Sequence, residues 1–196
     1  MDLQSRIQQH FNESINTIQM SQELMVPQLA QAAERLMQCL MVDGKIIACG
    51  NGSSASAAQR FVSLMLNRFD KERPGLAAYS LSADSATMSA IARDHDFDLV
   101  FSKQLRALGQ PQDVLLAIDP GGNAANIIEA ISTAHERQMA VIALTGGDGG
   151  QVANLLTAED TLLCVPADNN ARIEEMHILA LHCLCDSVDC MLLGVD

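Results

Sequence analysis

No basic stripe runs through this sequence: 12 lysines and arginines stand against 24 aspartates and glutamates in 196 residues, for a formal charge of −12. Binding to a phosphate backbone needs clustered cations, so direct nucleic-acid recognition is excluded, and any link to nucleic acid passes through another protein. The acidic residues are spread along the chain and read as a solvated surface. No C-x-x-C pair occurs among the six cysteines, at positions 39, 49, 164, 183, 185 and 190. Neither a disulfide framework nor a structural zinc site is expected, and the cysteines read as small buried hydrophobes. No apolar run reaches the roughly 20 residues that span a bilayer, and Met1-Asp2-Leu3-Gln4-Ser5 lacks a basic and apolar leader, so a cytoplasmic protein is expected. Internal repeats, low-complexity stretches and flexible linkers are also missing, and the length fits one structural unit.

Two kinds of pattern are present. Residues 1–41 have helical periodicity, with Leu3, Ile7, Phe11, Ile15 and Ile18 on one face and Leu29, Ala32, Ala33, Leu36 and Leu40 continuing it after Pro27. They predict a two-part helical extension that serves oligomerisation. Residues 42–196 alternate short apolar runs with amphipathic stretches. The runs are Lys45 to Cys49, Ala77 to Leu81, Asp113 to Ile118, Ala140 to Thr145 and Thr161 to Val165. Continuous apolar runs mark strands buried on both faces, so the fold class is α/β, a three-layer doubly wound sheet of five parallel strands. A closing helix from about Asn170 to Leu193 carries more apolar surface than one core-facing stripe requires, which predicts a homo-oligomer bound through helices.

Ligands of such sheets bind at the carboxyl ends of the strands, which singles out two junctions. In Cys49-Gly50-Asn51-Gly52-Ser53-Ser54 the glycines allow close backbone approach, and the serines place hydroxyls and amides at a helix start. The junction is either a phosphate cradle or a tight turn with a serine N-cap. In Asp119-Pro120-Gly121-Gly122-Asn123-Ala124 hydroxyls are absent and a carboxylate stands at the strand end. A negative charge about 4 Å from a phosphate costs roughly 4 kcal/mol at an effective dielectric of 20, unless Asp119 caps the following helix instead.

The first junction, with Asn67 to Pro74, Asp113 to Ala117, Leu144 to Gly150 and Ala171 to His177, resembles the sugar isomerase (SIS) domain family in order and wording. The branch it resembles holds phosphoheptose isomerase and the DnaA initiator-associating protein. The resemblance implies a flavodoxin-like sheet, a homotetramer and a phosphosugar site at Asn51, Gly52, Ser53, Ser54, Asp119, Gly121 and Asn123. It also implies a catalytic histidine and glutamate four residues apart on the helix after the first junction, and a glutamine and histidine eight apart on the last helix, able to hold zinc. Here those positions carry Arg60, Leu64, Glu174 and His182. A guanidinium neither ligates a metal nor acts as a base at neutral pH, and leucine exchanges no proton.

The expectation is therefore a homotetramer with no cofactor and no enzymatic activity, a protein-binding regulator resembling the DnaA initiator-associating protein, with DnaA as partner. The alternatives are a phosphoheptose isomerase with an altered site, using Glu174 and His182, or a phosphosugar-binding sensor. Arg60 is expected to pair with Glu174 or Asp119 if it does not bind an anion. His182 is a site residue or a hydrogen-bonded core or interface histidine, and His177 packs at a subunit contact. His95 is a loop residue, and Lys71-Glu72-Arg73 a solvated turn.

Overall fold

The five apolar runs form β1 (Ile46–Gly50), β2 (Ala78–Ser80), β3 (Val114–Ile118), β4 (Ala140–Gly146) and β5 (Thr161–Val165). The computed structural model describes residues 2–194, so Met1, Val195 and Asp196 at the ends of the two expected segments lie outside the described residues. All strands are parallel in the order β2-β1-β3-β4-β5, with Ile46 opposite both Ala78 and Val114. Alternate residues serve opposite faces. Ile46 and Ala48 of β1 join one core with Leu116, Ile142 and Phe61, while Ile47 and Cys49 join the other with Leu115, Val141 and Phe101.

On the first face lie α1 (Leu3–Met41), α2 (Ser53–Leu66) and α7 (Asn170–Leu193). The second face is covered by α3 (Ser85–Asp94), α4 (Ser102–Leu108), α5 (Ala125–Glu136) and α6 (Gly150–Leu155), with a 3-10 turn at Phe97–Leu99. The three-layer α/β arrangement expected from the run pattern is thus the one observed.

The N-terminal extension is a single helix instead of two, because Pro27 sits inside α1 without ending it. Proline removes one backbone donor and crowds the preceding turn. Packing on both sides of it keeps the helix running: Thr17, Ser21 and Met25 are buried before it and Ala32, Ala33 and Leu36 after it. Arg172 donates to the carbonyl of His10 at 2.7 Å, and the hydroxyl of Ser14 donates to Glu175 at 2.8 Å, tying the first half to α7. A neighbouring stripe of that half remains bare, with Leu3, Ile7, Phe11, Ile15 and Ile18 all exposed.

By length and composition α7 could cross a membrane. It instead buries Ile173, Met176, Ala180, Leu181, Leu184 and Val188 in the core shared with α1 and α2. Arg73 fixes its far end. The guanidinium is buried against Asp189 and donates to the carbonyls of Leu64 (3.0 Å) and Met65 (2.8 Å), closing the last turn of α2. The expected solvated turn is therefore an internal clamp at Arg73, while Lys71 and Glu72 stay exposed. A buried arginine is tolerated because charge and donors are met together.

Candidate functional site

Strand order reverses between β1 and β3, whose following helices α2 and α5 lie on opposite faces, so a crevice opens between their loops. Gly50 is required there, since a Cβ would stand 2.7 Å from the backbone of Ser54. Gly52 adopts φ +53 and starts α2 without a side-chain cap. Among the described residues the amides of Gly52 and Ser53 donate to no backbone carbonyl, leaving two donors at the positive end of a helix. Ser54 is buried beside them. The N-cap alternative for the serines is not what forms, because Ser53 and Ser54 lie inside the first turn.

The other expected binding side chains are occupied within the fold. Asn51 and Asn126 exchange two amide hydrogen bonds at 2.8 Å across the crevice. Asp119 accepts the Ala124 amide at 2.8 Å, so its carboxylate braces the loop before α5. Asn123 donates to the carbonyl of Gly121 at 2.6 Å and accepts the amide of Gln151 at 3.1 Å, joining its loop to α6. Gly121 is exposed with open space at its Cα. The groups left for a ligand at the start of α2 are the amides of Gly52 and Ser53 and the hydroxyl of Ser54.

Helices α2 and α7 run in the same direction along this side. Ser53 donates to Glu174 Oε1 at 2.7 Å; seven residues further along α2, Arg60 Nε donates to His182 Nε2 at 3.2 Å. Those pairs lie about 10 Å apart at 1.5 Å per residue. Arg60 thus meets neither Glu174 nor Asp119, and the expected carboxylate pair gives way to a pair with a neutral ring. Accepting from Arg60 fixes His182 with its proton on Nδ1. Burial, then the Arg60 cation, hold His182 below its ordinary value, and its ring stacks obliquely on Phe69 at 5.5 Å. Leu64 faces the first core, where it is partly buried.

A pocket of about 80 Å³ lies between the start of α2, the end of β3 and α7, lined by Ser53, Ser54, Ala57, Ile118, Glu174 and His177. His177 is 1 % exposed, so it belongs to the interior of its own chain, not to a subunit contact. Its Nε2 lies 3.0 Å from the carbonyl oxygen of Thr145 at the end of β4. Burial lowers its pKa, more than the Thr145 bond and the charges of Glu174 and Asp119 raise it. The same two influences, burial and Asp119, push the Cys49 thiol far up, which leaves it inert.

Zinc does not fit this site. Two of the positions the family offers carry Arg60 and Leu64, and the lone pair of His182 that could bind a metal accepts from Arg60. Among the described residues no group of three metal-binding side chains forms, at His95 or elsewhere. His95 is exposed at the end of α3. Sequence reasoning missed Asn126, Arg73 and the inward placement of His177. Only the apolar spacing of the last helix, which puts His177 beside Ile173, Met176 and Ala180, could have signalled the third.

A family model described as the SIS domain matches residues 9–146. The chain is 57 % identical over 196 residues, all of both chains, to a phosphoheptose isomerase of Laribacter hongkongensis (strain HLHK9). Among solved structures it superimposes on a phosphoheptose isomerase from Neisseria gonorrhoeae with a TM-score of 0.92 at 50 % identity, covering 96 % of this chain and 99 % of that one. For a phosphoheptose isomerase from Francisella tularensis the TM-score is 0.94 at 43 % identity, with 96 % and 99 % covered. These relatives overturn the expectation of a non-catalytic, DnaA-binding regulator. It rested on the exchanges at Arg60 and Leu64 and on the lost hydroxyls of the second loop, whereas proteins matching from end to end carry the name of an isomerase. The chain belongs to the SIS domain family.

Proposed function

We propose that this protein is a sugar-phosphate isomerase of the phosphoheptose type, interconverting sedoheptulose 7-phosphate and D-glycero-D-manno-heptose 7-phosphate. The observation that carries this reading is the 2.7 Å contact of Glu174 with Ser53, which sets a carboxylate at the rim of the helix-start cradle. The free amides of Gly52 and Ser53 and the Ser54 hydroxyl hold the phosphate. The pocket of about 80 Å³ takes the phosphate together with the nearest hydroxyl-bearing carbon, and the rest of the sugar lies outward along the seam of α2 and α7. Glu174 removes the proton from the carbon next to the carbonyl and returns it to the neighbouring carbon, through an enediol. Arg60, held by His182, supplies positive charge toward the oxygen that gains negative charge in that step. Arg60 and Leu64 at two of the family's ligand positions favour a reaction that runs without a metal.

The bare face of α1 supports a homo-oligomer, a tetramer in this reading: five large apolar side chains in one stripe exceed what an isolated surface helix leaves in water. The protein works in the cytoplasm on a soluble substrate. Incubating it with sedoheptulose 7-phosphate, with and without chelator, and separating the products tests the reading. Product in both reactions is expected. Binding of the sugar phosphate without product would favour a sensor instead.

A further inference from the structure

Histidine 177 carries a polar atom that the fold leaves unused. A carbonyl oxygen can only accept, so the 3.0 Å contact with Thr145 places the ring proton on Nε2. In the neutral ring Nδ1 is then a bare acceptor, and it has no partner within the protein. A buried acceptor without a donor costs on the order of 1–3 kcal/mol, and one that persists beside a pocket invites a ligand donor. The surroundings offer a place for one. The ring lines the same pocket as Ser53, Ser54 and Glu174, next to the start of α2. With Nε2 engaged, Nδ1 is the ring atom left for bonding there. Desolvation keeps the ring neutral, although the carboxylates of Glu174 and Asp119 act on it from α7 and from the end of β3.

We infer that His177 is a further substrate-binding residue, whose Nδ1 accepts a hydrogen bond from a hydroxyl of the sugar phosphate seated in the helix-start cradle. The inference rests on the proposed phosphosugar site but needs no turnover. It assigns a task the serines cannot share, since the amides and hydroxyls at the start of α2 serve the anionic end whereas His177 reads a neutral hydroxyl donor. Bare phosphate therefore gains nothing from the ring.

Two variants separate binding from architecture. His177→Gln keeps an N–H that reaches the Thr145 carbonyl and removes the acceptor at the Nδ1 position; His177→Asn keeps an acceptor near Nδ1 and gives up the Thr145 bond. Titration calorimetry with sedoheptulose 7-phosphate and with inorganic phosphate, beside ligand-free melting curves, gives the readout. Expected is about tenfold weaker sugar-phosphate binding for the Gln variant, the size of one lost hydrogen bond, with phosphate binding unchanged. The Asn variant, although less stable, should bind the sugar phosphate within about threefold of the parent. The inference is overturned if the Gln variant binds as tightly as the parent, if both variants weaken equally, or if the parent binds no sugar phosphate. Tight binding by the parent with no turnover would defeat the isomerase reading alone.

Discussion

Arg60 Nε lies 3.2 Å from Nε2 of His182, so the cation that replaces a family histidine is held by the histidine that remains. Since Arg60 is one cause of the lowered His182 pKa, Arg60→Ala should raise it toward the ordinary imidazole value. Following the His182 ring resonances against pH by NMR checks this. An unchanged titration would show that the pair does not form in solution. If Arg60 also steadies the developing oxyanion, the same variant loses about a hundredfold to a thousandfold in kcat.

His177 makes stability depend on pH in a stated direction. Its folded pKa lies below the ordinary histidine value of 6.5, so near and below that pH the unfolded chain binds more protons than the folded one. Stability from this group is complete above 6.5 and is lost as pH falls through 6.5 toward the folded value, at no more than about 1.4 kcal/mol per pH unit. Urea unfolding from pH 7.5 down to 5 should show a decline that His177→Gln reduces.

The Arg73–Asp189 pair is buried on both sides, with the contact at Oδ1 and no hydrogen-bond partner at Asp189 Oδ2. Arg73→Met strands a carboxylate in the core and should cost about 3–5 kcal/mol, whereas Arg73→Met with Asp189→Leu should recover most of that loss. Denaturant midpoints of the two variants decide it. Equal losses would mean that the guanidinium matters for the carbonyls of Leu64 and Met65 more than for its charge.

Lysine at Phe11 and Ile15 places two charges on the bare stripe of α1 without touching the internal core. Light scattering should then report a smaller assembly with an unchanged circular dichroism spectrum. A parent protein that is already monomeric would remove the oligomer from the proposal.

The sheet was legible in the sequence because the inner strands are buried on both faces and print continuous apolar runs, as Val114–Ile118 does, whereas the edge strand Ala78–Ser80 leaves Tyr79 exposed. Pro27 misled, since a proline reads as a break until the residues on both sides of it are seen buried. Arg73 misled for a related reason: its burial depends on a carboxylate 116 residues away. The glycine-serine junction was legible as a glycine-opened helix start, but how α2 and α7 align was not. That alignment decides that Arg60 meets His182 and that Glu174 meets Ser53. Reading the exchanges at Arg60 and Leu64 as the end of catalysis assumed that the proton must move along the helix that lost them. Glu174, on the other helix and beside Ser53, is the carboxylate that the isomerase alternative kept.

Solvent deuterium tests the central claim most directly. In D₂O the wild-type protein should convert sedoheptulose 7-phosphate to D-glycero-D-manno-heptose 7-phosphate with deuterium at C2, because the proton held by Glu174 exchanges with solvent. Glu174→Gln should slow this by about a hundredfold to ten-thousandfold. Wild-type protein that yields neither product nor deuterated sugar, or a Gln variant as fast as the parent, would contradict the account.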